Sequence, residues 1–271
     1  MLPREINMLK DNLTLVIHSC DLYSDLWDGH VQLLNQNWGN RNLNTLLVTD
    51  KITTKQYNNV TLISAGEGTE FSQRTKFMLN FVNTKYVLIT LDDYYPIKEI
   101  NNSKIEYLIN IMENENLDYI RLFPDPNSRK KFGSYKKLYH IPFDINYSVN
   151  LYQGIWRKTF IEKTIGAPMN AWQYEVSLTK IAANANAKCV LSKGKEYEIL
   201  DVVRKGKILH KAARYFKKHA LYKGERKVIT YAEELRIFVF SIGKKILPRR
   251  LSILLKRILK KLGFKFYSES I

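Results

Sequence analysis

The feature that most constrains this chain is the apolar run Tyr86–Leu91 with two carboxylates, Asp92 and Asp93, at its end. Six residues rich in β-formers, with no polar alternation, read as a strand buried on both faces of a parallel sheet covered by helices. In open sheets of that kind ligands bind beyond the carboxyl ends of the strands, where Asp92 and Asp93 stand. Two adjacent carboxylates repel unless a positive group lies beside them. A divalent metal carrying a diphosphate meets that need, because hard oxygen ligands suit Mg2+ or Mn2+. The alternative is that one of the pair merely caps the helix that follows.

Candidate strands at Leu13–Ile17, Thr45–Val48 and Val60–Ile63 precede this run. Ser24 is a candidate cap for a helix carrying Leu26, Trp27, Val31, Leu34 and Trp38, with Gly39 beyond its end. A second helix is expected over about Ser72–Asn83, and a third over Ser103–Asn114. Asp118–Phe123 reads as a strand, followed by a loop with Pro124, Pro126 and the basic Arg129-Lys130-Lys131. Lys137–Ile141 and Tyr147–Trp156 read as strands, Ala171–Ala183 as a helix, and Cys189–Leu191 and Ile199–Val203 as short strands. The early alternation of strand and helix means βαβ units with right-handed crossovers. The expected class is therefore α/β, a Rossmann-like, mostly parallel sheet with helices on both faces.

Charge divides the chain differently. Its 43 Lys+Arg and 26 Asp+Glu give a net +17, and residues 202–271 hold 20 of the basic groups but 4 of the acidic ones. Within that region Leu235, Phe238, Val239, Ile242 and Ile246 share one helical face. After Pro248, the residues Leu251, Leu254, Leu255, Ile258, Leu259 and Leu262 share another, flanked by Lys256, Arg257, Lys260 and Lys261. Two basic amphipathic helices broken by a proline suit an anionic membrane surface. No stretch approaches the roughly 18 uncharged apolar residues of a spanning helix. The amino-terminal residues lack a secretory pattern, and Cys20 and Cys189 sit apart in apolar surroundings, so a reducing, cytoplasmic setting is expected.

Several classes fall away. There is no Gly-x-Gly-x-x-Gly, no P-loop and no nucleophile elbow, no Cys/His set has zinc spacing, and no RNA-binding motif accompanies the charge. The motifs that are present suit a nucleotide-sugar site by their resemblance to a known family. The first-strand end His18-Ser19-Cys20-Asp21 with Tyr23–Trp27, the segment Val48-Thr49-Asp50, Phe71–Arg74, and Thr84–Tyr94 together resemble the GT-A glycosyltransferases. The resemblance is to the bacterial enzymes that build capsular or other surface polysaccharides especially. The resemblance spans residues 13 to 215, and its acidic pair is Asp-Asp-Tyr where the family's commoner form is Asp-x-Asp.

The resemblance implies roles. Ser19 and Asp21 join the donor site, Asp50 lies near base or ribose, Arg74 near the base, Asp92 near ribose or diphosphate, and Asp93 holds the metal. His210 completes the metal shell, and Arg204, Lys205 and Lys207 meet the diphosphate, with Gly206 allowing close approach. The bland alternatives stay open: Asp50 as a strand-end turn residue, Arg74 as a surface charge, Asp21 or Asp25 at a helix start, and His210 as structural. In the second half, Trp172 and Glu175 lie at i and i+3 on one helical face, an aromatic for sugar stacking beside a candidate base. Tyr152, Gln153, Gly154 and Trp156 are candidates to line the same acceptor pocket, and Asp144 and Asp201 are reserve bases. The alternative is that Glu175 pairs with a lysine and that Trp172 and Trp156 are core residues.

The expectation is a metal-dependent, inverting transferase, GT-A-like over residues 1–215, with a nucleotide half of about 13–125 and an acceptor half of about 126–215. Residues 216–271 form a basic tail on the inner face of the cell membrane. Mn2+ or Mg2+ is the cofactor, a UDP-sugar the first-choice donor, and the acceptor a glycan carried on a polyprenyl diphosphate lipid. Two rivals are a non-catalytic binding module of the same fold and an RNA-binding protein using the tail. The tail's leucines, where base stacking needs aromatics, favour membrane over RNA.

Overall fold

The computed structural model describes residues 8–221 and 224–237. The chain divides into two compact units, Met1–Asp201 and Val202–Ile271.

In the first unit helix α1 (Met8–Asn12) runs directly into β1 (Leu13–His18), and a 3-10 turn over Asp21–Leu26 leads to α2 (Trp27–Asn37). Strands β2 (Thr45–Thr49) and β3 (Thr61–Ser64), helix α3 (Phe71–Met78), β4 (Tyr86–Leu91) and β5 (Tyr94–Pro96) follow. Next come α4 (Asn102–Asn114), β6 (Tyr119–Arg121), β7 (Leu138–His140) and β8 (Gly154–Arg157). Helices α5 (Lys158–Thr164) and α6 (Ala171–Asn184) and strands β9 (Cys189–Ser192) and β10 (Ile199–Asp201) complete the unit. The main sheet has the order β3-β2-β1-β4-β8-β6-β9-β7, while β10 pairs with β5 separately. Strands β3, β2, β1 and β4 run parallel, as do β6 and β9; β8 is antiparallel to both its neighbours and β7 to β9. This is the expected α/β class, a mostly parallel sheet with helices on both faces.

Strand periodicity explains the two cores. Leu13, Leu15 and Ile17 of β1 face one cluster with Trp27, Leu34, Ile105 and Leu108 of α2 and α4. Val16 faces the other with Phe71, Met78, Phe160, Tyr174 and Leu178 of α3, α5 and α6. Alternate side chains of one strand thus find apolar partners on both sides, so the strand reads as a continuous apolar run.

Three local expectations differ. Leu26, not Ser24, precedes α2 and gives no side-chain cap; Ser24 instead accepts the Trp27 N–H through its carbonyl within the 3-10 turn. Helix α3 ends at Met78, because a 3-10 turn at Leu79–Phe81 releases the chain into extended Val82, which is fully buried. Tyr147–Gln153 is not strand: the Asn150 amide donates to Tyr147 O at 2.9 Å and accepts from Tyr152 N at 3.1 Å, so local bonds replace a ladder.

Gly154 opens β8 where a side chain has no room. A Cβ there would lie 2.6 Å from the Tyr119 ring and 3.0 Å from Ile120 O. Tyr119 is itself held by its hydroxyl on Asn150 O at 3.1 Å. Gly154→Ala should therefore destabilise by about 1–3 kcal/mol through overpacking, seen as a lower urea midpoint. An unchanged midpoint would show that this wall yields.

The second unit begins with a hairpin of β11 (Val203–Arg204) and β12 (Lys207–Ile208). Its turn residues Lys205 and Gly206 have φ of 52° and 75°, the left-handed pair that a two-residue hairpin favours. Helix α7 (His210–His219) buries Ala212 and Phe216 and exposes Lys211, Arg214, Lys217 and Lys218. Residues 231–237 are helical, with Leu235 exposed. The rest of the two apolar stripes, Phe238 to Ile246 and Leu251 to Leu262, lies outside the described residues. Among the described residues no helix is long and apolar enough to cross a membrane.

Candidate active site

Parallel register brings three strand exits together. His18 pairs with Val48 on one side and Leu91 on the other. The ladder continues one residue further, with Ser19 N donating to Val48 O at 2.9 Å and Asp92 N to His18 O at 3.3 Å. Beyond these bonds stand Ser19, Cys20 and Asp21 from β1, Asp50 from β2, and Asp92 and Asp93 from β4.

Asp92 is 6 % exposed and its carboxylate accepts the Ser19 hydroxyl. Ser19 Oγ in turn accepts the Trp27 indole N–H at 2.6 Å. Asp50 Oδ1 accepts the Asp21 backbone N–H at 2.6 Å, so Asp50 holds the start of the 3-10 turn. The Cys20 thiol between them is pushed up to about 11, first by burial, then by the Asp92 carboxylate, with Asp50 adding and Arg74 opposing.

Arg74 reaches this point from α3, whose first turn is locked by reciprocal bonds between Glu70 and Gln73. It is 9 % exposed, so it is not a surface charge. Its Nη1 donates to Thr69 O, while Nε is buried with no hydrogen-bond acceptor among the described residues. Beside it His18 stacks on Phe71, with centroids 3.8 Å apart, and bonds Thr75 Oγ1 at 3.1 Å. Burial and then Arg74 hold the His18 ring well below its ordinary range.

Helix α6 docks on the same α3. Ser72 N donates to Met169 O at 3.1 Å, Met169 N to Ser72 Oγ at 2.9 Å, and Phe71 lies 5.4 Å from Tyr174, ring to ring. The next residue is Glu175, whose Oε1 accepts Leu151 N at 3.1 Å. Tyr152 follows Leu151 and stacks on both Phe123 (4.2 Å) and Tyr94 (5.3 Å), and Tyr94 directly follows Asp93. A chain of contacts thus runs from Glu175 to the acidic pair. Trp172, 63 % exposed, lies one turn before Glu175.

Two acceptor candidates are core residues. Trp156 is 2 % exposed, packed against Tyr119 and Phe160, so its ring is spent in the core and presents no face to an acceptor. Gln153 is fully buried and donates to Tyr197 O at 2.9 Å. Arg204, Lys205 and His210 belong to the second unit. There Arg204 and Lys205 are exposed, Lys207 pairs with Glu233 at 2.7 Å, and His210 bonds Glu234 through Nδ1 at 2.5 Å and stacks on Tyr231 at 3.9 Å.

Sequence reasoning missed His30. Fully buried on α2, it bonds Asp92 O at 3.0 Å through Nδ1, so it steadies the Asp92–Asp93 peptide from below. Trp27 and His30, at i and i+3, share a helix face under Asp92, and that spacing was the available signal. Burial lowers the His30 pKa to about 4, against an unfolded value of about 6.5. The unfolded chain therefore binds the extra proton first. Stability is full above about pH 6.5 and falls toward pH 4, by on the order of 3 kcal/mol. His30→Asn keeps a donor near the Nδ1 position and removes the titrating ring. Urea midpoints at pH 7.5 and 4.5 in chelator should fall less for that variant than for the parent; an equal fall would assign the acid sensitivity to other groups.

The donor set suits a hard cation. Among the described residues no three His, Cys, Asp or Glu side chains gather as a closed metal cage. A pair of carboxylates is nonetheless what Mg2+ or Mn2+ commonly takes from protein, leaving positions for phosphate oxygens and water. The negative field is evident at Tyr95, whose phenol is raised above its ordinary range by burial first, then by Asp92, Asp25, Asp28 and Asp93. Asp92 and Asp93 fit such an ion.

No protein-family model matches the chain, and no curated protein matches it. Solved structures do. Pyrobaculum calidifontis mannosyltransferase PcManGT in complex with GDP-Man and Mn2+ aligns at 11% identity and TM-score 0.49, over 94% of this chain and 81% of that one. S. aureus TarS 1-349 in complex with UDP-GlcNAc aligns at 15% identity and TM-score 0.48, over 73% of this chain and 60% of that one. Bifunctional IspDF from Campylobacter jejuni aligns at 12% identity and TM-score 0.42, over 70% and 52% respectively. The chain spans between about a third and three fifths of the TarS chains it matches. Likenesses this distant leave the functional argument to the residues themselves.

Proposed function

We propose that this protein is a GT-A-type glycosyltransferase that moves a sugar from a nucleotide-activated donor to a glycan. The observation that carries the reading is the placing of Asp50, bonded to Asp21 N, and Asp92, bonded to Ser19, side by side where three neighbouring parallel strands end. A buried cation and several carboxylates at that place suit a ligand with an anionic diphosphate and a polar base and ribose.

Asp50, held on the Asp21 turn, and Arg74, with a buried Nε, fix the base and ribose end of the donor. Asp92, braced by Ser19 and Trp27, and Asp93 would hold Mg2+ or Mn2+. Such an ion, when bound, neutralises charge on the departing nucleoside diphosphate. Glu175, oriented by the Leu151 N–H, takes the proton from the attacking hydroxyl, which makes the reaction inverting. Trp172, exposed one turn away, offers a ring for the acceptor sugar. A UDP-sugar is the first donor to test, and the acceptor is a surface glycan on a polyprenyl diphosphate. The basic residues 216–271 keep the enzyme at the inner membrane face.

Titration calorimetry with UDP, GDP, CDP and ADP, each with Mn2+ and with chelator, tests this directly. One nucleotide should bind in the micromolar range and weaken at least about tenfold without metal. Absence of binding by all four would remove the donor-site reading.

A further inference from the structure

Four strands from β4 in the sheet order, the first unit carries a second feature that the donor site does not use. Between Pro126 and Phe143 the sequence has five basic residues and no acidic one. The fold makes that segment an ordered hairpin at the β7 edge of the sheet. Phe132 N donates to Leu138 O at 2.9 Å and His140 N to Lys130 O at 2.9 Å, and Gly133 takes φ 51° in the turn. Lys193 N donates to Lys137 O at 3.0 Å, which brings the turn carrying Lys195 alongside. Arg129, Lys130, Lys131, Lys136, Lys137 and Lys195 are all exposed. Among the described residues none of the six is in an ion pair. By contrast Lys193 is used structurally, over the Tyr139 ring at 3.7 Å and on Ser128 O at 2.9 Å. The carboxylate that borders the hairpin, Glu115, accepts the Tyr135 hydroxyl at 2.7 Å.

Lysines often guard an edge strand against pairing with another chain. Here the three residues of β7 itself, Leu138, Tyr139 and His140, carry none. The arm Lys130–Phe132 pairs with β7 and is itself the edge, where Lys130 and Lys131 serve as guards; Lys136, Lys137 and Lys195 lie on the turns beyond it, and edge protection does not explain them. Uncompensated positive charge at this density raises the energy of the free protein and attracts an anionic partner. His140 registers it: burial and then Lys130 lower its pKa.

We infer that this hairpin is a docking surface for anionic lipid headgroups. The cations occupy two arms and a neighbouring turn, which matches a broad charged surface better than one converging phosphate. Nucleic acid would want exposed rings for its bases. Phe132 and Tyr135 instead stack on each other at 5.7 Å and 10°, and no large exposed apolar side chain lies in the segment. Contact is therefore electrostatic and shallow, at the headgroups. These residues are different from those proposed for the donor, so failure here leaves that reading intact.

The full chain carrying Lys130→Gln, Lys131→Gln, Lys136→Gln and Lys137→Gln tests it. All four side chains are exposed, and circular dichroism and the nucleotide titration confirm that fold and donor site are retained. With a contribution of about 1 kcal/mol for each basic residue near an anionic surface, affinity for phosphatidylglycerol/phosphatidylcholine vesicles should fall by at least about a hundredfold at physiological salt. Pure phosphatidylcholine vesicles should bind both proteins weakly and equally. Unchanged affinity for the anionic vesicles overturns the proposal. So does tighter, hairpin-dependent binding to poly(U) than to vesicles, which would make the partner a nucleic acid.

Discussion

Asp93→Ala should lower sugar transfer by on the order of 10³-fold or more while leaving the unfolding midpoint nearly unchanged. The size follows from where charge develops. As the sugar bond breaks, the nucleoside diphosphate gains negative charge, and each group that helps to balance it acts in the transition state more than in the ground state. Asp93 stands at the exit of β4, a strand buried along its length, so its backbone is placed by the sheet. The variant removes charge without touching the Ser19–Trp27 chain that braces Asp92. Asp92→Asn makes a useful contrast, because it changes both charge and the Ser19 contact, and should cost stability as well as activity. Turnover and Mn2+ titration of the two variants separate these roles. Full turnover by Asp93→Ala, or undiminished activity of the parent in chelator, would end the metal role of the pair.

Much of the fold was legible because burial writes itself into composition. Tyr86–Leu91 and Thr45–Thr49 are apolar or β-branched throughout since helices cover both their faces, and both were placed within a residue of their observed bounds. The segment Tyr147–Gln153 was not legible as a loop. Its apolar residues Val149 and Leu151 are core, yet Asn150 satisfies the backbone that a strand would have paired. Within the candidate site, Asp50 and Asp92 could be named because charged residues at strand exits stand out against an apolar background, while Arg74, on α3, was named through the resemblance alone. Their supports could not. Trp27 and His30 look like ordinary members of a helix, and their hydrogen bonds to Ser19 and Asp92 exist only once β1 and β4 are paired in register. Trp156 failed for the opposite reason. A tryptophan at a strand exit and one in the core have the same local sequence, and only the packing of Tyr119 and Phe160 decides.

Glu175→Gln should reduce kcat by roughly 10²–10⁴-fold with little change in nucleotide affinity. The substitution keeps the length of the side chain and its oxygen acceptor, so the Leu151 N–H at 3.1 Å retains a partner and the loop leading to Tyr152 stays in place. What is lost is basicity. A base that removes the hydroxyl proton during attack contributes to the chemical step alone, which predicts a fall in kcat with donor binding unchanged. Glu175→Ala separates position from chemistry: it removes the acceptor for Leu151 N as well, so both the acceptor KM and stability should suffer. If Glu175 only orients the loop, Gln restores activity and Ala does not, and the base must be sought at Asp144 or Asp201. If it is the base, both variants lose turnover, and the pH profile of kcat loses its acidic limb in each. An acidic limb that persists in Glu175→Gln would settle the matter against it.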